Sequence, residues 1–183
     1  MLLGVISDTH GLMRPEALAA LRGVDRIIHA GDIGAPEILT ALSAIAPVTA
    51  VRGNNDKGPW ALAVPPTALV DAAGALIYVL HDIAALDSDS APLPQRSRSR
   101  LDEASGPLAP RSGERVGERG DRPFDVVVAG HSHRPRNDLR DRVLWFNPGS
   151  AGPRRFKLPI TVGRLTIEAG QARGEIVALT VAP

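Results

Sequence analysis

All five histidines of this chain lie in short motifs that also contain aspartate, asparagine or glycine. Imidazole nitrogens combined with carboxylate oxygens suit Mn, Fe, Zn, Co or Ni, whereas Mg and Ca prefer shells made of oxygen alone. Five such motifs in one chain therefore indicate a metal site. The motifs are SDTHG (7–11), HAGD (29–32), GNND (53–56), LHD (80–82) and GHSH (130–133).

Each motif follows an apolar run with the composition of a β-strand: LLGVI, RIIHA, VTAVR, ALIYVL and FDVVVA. Ligands of open α/β sheets bind just beyond the carboxyl ends of the strands. We therefore expect the motifs to lie along one edge of a single sheet, with their side chains converging. The seven candidate metal ligands are Asp8, His10, Asp32, Asn54, His81, His131 and His133.

This set of donors also predicts a reaction. Seven ligands are enough for two divalent ions with positions left for water and substrate, and the two oxygens of Asp32 can bridge both ions. Two ions about 3.5–4 Å apart, with a bridging hydroxide, are the usual apparatus of phosphoester hydrolysis. The motifs therefore predict a hydrolase that acts on a small phosphoester.

The elements that must position these motifs alternate between strand and helix in the first half of the chain. Pro15 and Pro36 each open a segment of helix-forming residues, and the resulting βαβ units should have right-handed crossovers. Segments 67–80 and 160–181 are predicted to be β-hairpins, the second turning around Gly170. We predict an α/β fold of two packed, mostly mixed β-sheets flanked by helices.

Length and composition exclude several classes of protein. A chain of 183 residues is most simply one domain, and the absence of cysteine excludes disulfides and thiolate metal sites. A formal net charge of +1 gives no electrostatic argument for binding nucleic acid or membrane. No apolar run reaches the roughly 18 residues of a membrane span, and the first strand begins without signal-peptide features. We expect a cytoplasmic protein.

Segment 87–123 does not fit this pattern. It is rich in Pro, Ser, Arg and Gly, has no aromatic residue, and balances seven arginines with seven acidic residues. Such a composition cannot bury enough apolar surface to offset the entropy lost on ordering. We expect a mobile insert in a surface loop. A lid, or an arginine clamp on the substrate, is the alternative.

Taken together, SDTHG, GD, GNND, the isolated histidine of LHD and GHSH resemble the calcineurin-like metallophosphoesterase superfamily. Within it, the short chain and the late NPGS sequence (147–150) are similar to the small phosphodiesterases of the YfcE type. The resemblance implies one four-layer α/β domain over residues 1–183, with a β-sandwich between helices. It also implies a dinuclear centre that often holds Mn²⁺, with Fe, Zn, Ni, Co and Mg as alternatives.

The resemblance implies a role for each candidate as well. Asp8, His10, Asp32 and His133 would hold one ion, and Asp32, Asn54, His81 and His131 the other, with Asp32 as the bridge. A hydroxide between the ions would attack phosphorus in line with the leaving group. The catalytic candidates are Asp32, Asn54 and His131, and the substrate-binding candidates are Asn55 and Arg14.

Two residues depart from the family pattern. Larger members often have a proton-donating histidine at the position of Asn55, and an amide cannot act as a general acid, a contribution of about 10²–10⁴-fold. Asp82 follows His81, where the family usually has glycine. The insert 87–123 also replaces a helix that the family usually places before the GHSH strand.

Some alternatives remain at this point. His29 is expected to pack near the site without binding metal, and the NPGS sequence either shapes the site or is only a tight turn. The second function to consider is a protein-binding scaffold resembling the retromer subunit of the same superfamily, whose site has lost ligands. All seven ligand positions carry competent donors here, which favours the hydrolase. The sequence leaves the physiological substrate and the formation of a homo-oligomer open.

Overall fold

The computed structural model describes residues 1–86, 124–155 and 157–181, so the predicted insert 87–123 lies outside the described residues. Within these ranges the α-helices are α1 (Pro15–Ala20), α2 (Pro36–Ser43) and α3 (Pro59–Leu62), with a turn of 3₁₀-helix at Ile83–Leu86. The strands are β1 (Leu2–Ile6), β2 (Arg26–Ala30), β3 (Val48–Val51), β4 (Thr67–Ala72), β5 (Ala75–Leu80), β6 (Val126–Val128), β7 (Arg136–Arg140), β8 (Val143–Asn147), β9 (Thr161–Glu168) and β10 (Gln171–Ala178).

The strands form two mixed sheets of five. Sheet A has the order β10-β9-β1-β2-β3, and sheet B has the order β4-β5-β6-β8-β7. In sheet A, β1, β2 and β3 are parallel, and β9 and β10 add to them antiparallel. In sheet B, β5, β6 and β8 are parallel, with antiparallel strands at both edges. The prediction of an α/β fold with two packed mixed sheets is confirmed, as are both predicted hairpins.

A core of aliphatic side chains lies between the sheets. Leu3 and Val5 of sheet A and Ile77, Val79 and Val128 of sheet B are fully buried in it. Burying each such side chain contributes about 1.5–3 kcal/mol, and successive residues of a strand point to opposite faces. The alternate residues of sheet A therefore face outward, where they pack against the helices.

Proline begins all three helices of the described ranges, without a side-chain cap. At this position its fixed φ suits the helix and its missing N–H removes no helical hydrogen bond. Leu21 after α1 and Leu42 of α2 pack with Ile6 and Ile27 on the outer face of sheet A. None of these helices has the length and apolar character needed to cross a bilayer.

The outer face of sheet B carries a different covering. There, a cluster around Tyr78, Phe124 and Val127 is packed by Leu86 and Trp145. In the described part of the chain, α-helices therefore flank sheet A, and sheet B is covered by the 3₁₀ turn and neighbouring side chains. The fourth, helical layer implied by the family resemblance remains a prediction.

The expectation that all five motifs lie on one edge of a single sheet is wrong. Their strands divide between the sheets: β1, β2 and β3 belong to sheet A, and β5 and β6 belong to sheet B. The reason is the β4–β5 hairpin, whose first strand pairs with β5 and forms the edge of sheet B. The parallel winding of sheet A thus ends at β3, and the chain begins a second sheet.

His29 of β2 is fully buried and contacts Thr9 of the first motif. The hydroxyl of Thr9 donates to the Ile33 carbonyl at 2.9 Å, and its oxygen lies 2.9 Å from His29 Nε2. Because a hydroxyl has one hydrogen, His29 must donate through Nε2, which leaves Nδ1 unprotonated and without a partner. Burial lowers the pKa of His29 to about 4. His29 is not in either group of candidate ligand atoms among the described residues, and its packing role beside the site stays a prediction.

This neutral histidine predicts a loss of stability in acid. The unfolded chain takes a proton on His29 near pH 6.5 and the folded chain only near pH 4, so folding is progressively disfavoured as pH falls through that interval. The loss should approach about 3 kcal/mol. We expect His29→Gln, which keeps a donor but does not titrate, to show a shallower fall. Urea unfolding from pH 7.5 to pH 4 in EDTA measures both, and parallel curves would contradict the assignment.

Candidate metal centre

The structure brings all seven predicted ligands into one cluster, at the carboxyl ends of strands from both sheets. Asp8 and His10 follow β1, Asp32 follows β2, and Asn54 follows β3. His81 follows β5, and the two histidines of GHSH follow β6. The backbone itself joins these ends, because the Asp8 N–H donates to the Gly31 carbonyl at 3.0 Å and the Gly130 N–H donates to the His81 carbonyl at 3.0 Å.

The first half of the cluster consists of Asp8, His10 and His133. The Nε2 atoms of the two imidazoles lie 3.4 Å apart, and the rings stack with centroids 5.3 Å apart. His133 Nε2 is 3.3 Å from Asp8 Oδ1, a buried oxygen that accepts no hydrogen bond. Two nitrogens and an unsatisfied carboxylate oxygen facing one point match the donors that a divalent transition ion requires.

The second half consists of Asn54, His81 and His131. The amide oxygen of Asn54 lies 3.1 Å from His81 Nε2 and 3.2 Å from His131 Nδ1. His81 Nδ1 donates to the Ala30 carbonyl at 2.8 Å, so in the neutral ring the lone pair is on Nε2, the nitrogen that faces the cluster. The backbone thus selects the His81 tautomer that can bind a metal.

Asp32 lies between the two halves. Its Oδ2 is 3.8 Å from His10 Nε2 and 3.4 Å from His81 Nε2. Burial opposes ionisation of Asp32, but hydrogen bonds from His81 and Asn55 outweigh burial and lower the pKa of its carboxyl below the usual range. Asp32 is therefore ionised, as a metal ligand must be.

The two histidines nearest Asp32 respond differently to this environment. Burial lowers the pKa of His10, and Arg155 lowers it further, against the opposing effect of Asp32. Burial also opposes the charged form of His81, but its hydrogen bond with Asp32 outweighs burial and raises the pKa. In the absence of metal, the cluster therefore holds a proton on His81 more readily than on His10.

Asp8 also approaches both halves of the cluster. Ligand atoms of Asp8, His10 and His133 lie within 4.8 Å of one another, and so do those of Asp8, Asp32 and His81. However, Asp8 Oδ2 already accepts hydrogen bonds from Ser7 Oγ at 2.6 Å and from the His131 N–H at 3.1 Å. These bonds leave Oδ1 as the oxygen of Asp8 that is free to bind a metal ion.

Five of the ligands have a backbone that L-residues rarely adopt. Nine non-glycine residues of the described ranges have positive φ, and the other four lie in hairpin turns. A left-handed residue costs roughly 1–2 kcal/mol, less for aspartate and histidine, and such strain is characteristic of functional sites. The left-handed ligands are Asp8 (φ 54°), His10 (47°), Asp32 (53°), His131 (65°) and His133 (57°).

Glycines of the motifs make room for these ligands. A Cβ on Gly53 would collide with the Asp32 carboxylate, and one on Gly31 would lie 2.5 Å from His81 Nδ1. The carboxylate of Asp56 is buried and accepts the Gly53 N–H at 2.7 Å. The glycine of GD therefore admits His81, the glycine of GN admits Asp32, and Asp56 holds the GNND loop in place.

The NPGS sequence (147–150) shapes the site and is more than a turn. Asn147 Nδ2 donates to the Gly130 carbonyl at 2.7 Å, which fixes the start of GHSH. Ser150 Oγ donates to the Asp8 carbonyl at 3.0 Å, which fixes the first motif. One loop thus holds motifs from both sheets.

The two predicted substrate-binding residues lie at the edge of the cluster. Asn55 donates from its backbone N–H to Asp32 Oδ1 at 2.8 Å and from its amide to Asp32 Oδ2 at 2.6 Å. Arg14 donates from Nε and Nη2 to the Gly152 carbonyl, both at 3.3 Å. In this structure Asn55 therefore contacts a ligand, and Arg14 contacts the backbone of the loop after NPGS.

Two further residues approach ligand histidines. Asp82 Oδ2 lies 3.8 Å from His131 Nε2, the nitrogen turned away from Asn54. Arg155 Nη2 lies 3.4 Å from His10 Nε2, and sequence reasoning missed it because an arginine after a turn carries no specific signal. A groove of about 430 Å³ opens beside His131. Its lining includes Asp82, Arg134, Arg136, Arg140 and Trp145.

The left-handed backbone at His10 predicts an inverted order of stability between two variants. His10→Gly and His10→Ala remove the same imidazole, but alanine pays the left-handed penalty and glycine does not. We expect the metal-free glycine variant to be more stable by about 1 kcal/mol. At exposed Lys57, whose φ is not positive, alanine should be the more stable. Urea unfolding in EDTA measures the free energy of unfolding of the four variants, glycine and alanine at each position. A His10→Ala variant more stable than His10→Gly would contradict the strain.

Comparison with known proteins agrees with this geometry. Residues 1–170 match the model of the calcineurin-like phosphoesterase superfamily domain. A probable metallophosphoesterase of Methanothermobacter thermautotrophicus is 33% identical, over 97% of this chain and 92% of the relative. The fold is similar to that of an archaeal phosphodiesterase, with a TM-score of 0.67, 21% identity, and coverage of 97% of this chain and 100% of that chain.

A further similar fold is that of wild-type Vps29 from Entamoeba histolytica in complex with zinc. Its TM-score is 0.60 at 19% identity, with coverage of 97% of this chain and 99% of that chain. At such identities the two solved structures show the fold alone. The domain match and the 33% identical relative from Methanothermobacter thermautotrophicus show more: this chain belongs to the calcineurin-like phosphoesterase superfamily.

Proposed function

We propose that this protein is a metal-dependent phosphodiesterase with a dinuclear centre. The observation that carries the proposal is the single cluster of seven nitrogen and oxygen donors, in which no position has been replaced by a residue unable to bind metal. One ion would be held by Asp8, His10, Asp32 and His133. The other would be held by Asp32, Asn54, His81 and His131.

Asp32 is the better bridge of the two buried aspartates. Its Oδ2 lies between His10 Nε2 and His81 Nε2, one from each half of the cluster. Oδ2 of Asp8 already accepts hydrogen bonds from Ser7 and from the His131 N–H, so Asp8 has one oxygen left to bind one ion. Binding of the ions would require the Asn55 amide to release Asp32 Oδ2, which its exposed position permits.

The donor chemistry favours a transition ion. Four imidazoles and two carboxylates with one amide match Mn, Fe, Zn, Co or Ni better than Mg. We propose Mn²⁺ as the working ion. When bound, the two ions polarise the phosphoryl oxygens and lower the pKa of water. The chain's part is to hold the donors: Asp56 fixes the GNND loop, and Asn147 fixes the GHSH loop.

The groove beside His131 supports a diester substrate. A phosphodiester carries a second organic group that a monoester lacks, and this group needs a surface close to the ions. The lining of the groove includes His131 and Trp145, and Arg136 lies over the indole ring at 5.8 Å. A lining that includes an indole and several guanidinium groups suits a planar or anionic substituent. The substrate is thus proposed to be a small phosphodiester.

The scaffold alternative has weaker support. The likeness to Vps29 is a likeness of fold, and that Vps29 structure itself holds zinc. A binding surface that had lost catalysis would not need five strained ligand backbones, each of which costs stability. The retained ligands therefore favour the hydrolase.

The proposal predicts metal-dependent hydrolysis that depends steeply on the leaving group. Asn55 cannot protonate a departing alkoxide, so aryl phosphodiesters should react readily with Mn²⁺ and alkyl ones poorly. Asn55→His should accelerate alkyl substrates by about 10²-fold and aryl ones much less. Plots of log kcat/KM against leaving-group pKa for both forms measure this.

Two controls separate the parts of this experiment. Lys57→His places a histidine in the same exposed loop and should leave the slope unchanged, while Asp32→Asn should abolish turnover. Metal content is measured for each form. Absence of metal-dependent turnover in the wild-type protein would refute the phosphodiesterase, whereas a flat plot would refute only the missing proton donor.

A further inference from the structure

We propose that Arg155 binds the substrate phosphate, with its guanidinium lying across the open side of the metal centre next to His10. The inference rests on the proposed phosphodiesterase function and adds a residue to it. Arg155 belongs to none of the family motifs quoted above. It would contact the non-bridging oxygens of the phosphoryl group.

The position of Arg155 is set by a well-anchored loop. The Ala151 N–H donates to the Ser7 carbonyl at 3.1 Å, and Ser150 Oγ donates to the Asp8 carbonyl at 3.0 Å. These bonds hold the loop against the first motif, a few residues before Arg155. The exposed side chain then reaches back until Nη2 is 3.4 Å from His10 Nε2.

That nitrogen is the one that faces the centre. His10 Nε2 lies 3.4 Å from His133 Nε2 and 3.8 Å from Asp32 Oδ2. A guanidinium beside it therefore lies at the mouth of the first ion site. Within the described ranges, no carboxylate forms a salt bridge with Arg155, so its N–H donors other than the one directed at His10 remain available.

Electrostatics then specify what Arg155 can bind. Two divalent ions and a guanidinium within a few ångströms repel one another, and an anion that lies between them offsets this repulsion because it attracts all three. A tetrahedral phosphate offers oxygens to the ions on one side and to the guanidinium on the other. Arginine binds phosphate through paired N–H donors, which gives both strength and orientation.

The neighbouring arginines do not fill this role. Both donor atoms of Arg14 that make hydrogen bonds are directed at the Gly152 carbonyl. Arg154 is exposed, and no contact of its side chain is seen in the described part of the structure. Arg154 is thus a matched control for Arg155, with the same charge on the same loop.

The test is calorimetric titration of the Mn²⁺-loaded protein with inorganic phosphate. We expect Arg155→Gln to bind phosphate at least tenfold more weakly than the wild-type protein, because it loses charge-assisted hydrogen bonds, which are stronger than those between neutral groups. Arg155→Lys should be intermediate, since it keeps the charge and loses the paired donors. Arg154→Gln should stay within about twofold, since an exposed surface charge that makes no contact with the site has a small effect.

A second titration, with Mn²⁺ alone, excludes a merely structural role. Removing a cation beside the site should leave metal affinity unchanged or raise it, whereas damage to the ligand set would lower it. For a diester that the enzyme hydrolyses, kcat/KM should fall by a factor similar to that for phosphate binding. The melting temperature should not change, because Arg155 is exposed.

The outcomes separate this inference from the proposed function. Equal phosphate affinity in Arg155→Gln and wild type overturns it, as do an equal loss in Arg154→Gln, a loss of Mn²⁺ affinity in Arg155→Gln, or absence of phosphate binding by the loaded wild type. If the wild type binds phosphate through Arg155 but hydrolyses no ester, the phosphodiesterase fails and the role of Arg155 stands. If the wild type hydrolyses diesters and Arg155→Gln hydrolyses them equally well, the phosphodiesterase stands and the role of Arg155 fails.

Discussion

The metal centre depends on a fixed relation between two sheets, because each sheet contributes part of the ligand set. Asp8, His10, Asp32 and Asn54 come from sheet A, and the three remaining histidines come from sheet B. The hydrogen bond from the His131 N–H to Asp8 Oδ2, 3.1 Å long, joins the two sets directly. The aliphatic core between the sheets and the NPGS loop maintain that relation. A sliding of one sheet by one residue would separate the ligands.

Given that relation, the centre concentrates backbone strain and closely spaced polar atoms, one of which is a buried carboxylate oxygen without a hydrogen bond. Five ligand backbones are left-handed, Asp8 Oδ1 is buried without a hydrogen bond, and imidazole nitrogens of His10 and His133 face each other at 3.4 Å. Each feature is unfavourable in the metal-free protein. Ions that bind the folded chain alone would stabilise it by mass action. Stability and function are thus linked at this one site.

Much of this could be predicted from sequence, because the signals are local. Pro15 and Pro36 begin helices, apolar runs form strands, and the ligands follow those strands. The assignment of strands to sheets could not be predicted in the same way, because pairing depends on contacts far apart in the chain. The β7–β8 hairpin turns at Asp141 and Arg142, both with positive φ, and it lacks the glycine from which such turns are usually predicted.

The supporting residues were harder still. Asn147, Asp56 and Arg155 act through contacts with partners that are distant in sequence or bound through the backbone. Those contacts exist only in the folded chain. Residue type alone leaves Arg155 indistinguishable from Arg154.

The central claim is that seven side chains from two sheets hold two ions with Asp32 between them. Anomalous diffraction from crystals of the Mn²⁺-loaded protein, recorded at the manganese edge, tests it most directly. The account predicts two peaks about 3.5–4 Å apart, one among Asp8, His10 and His133 and the other among Asn54, His81 and His131, with Asp32 contacting both. A single peak, or two peaks bridged by Asp8 with Asp32 unbound, would contradict it.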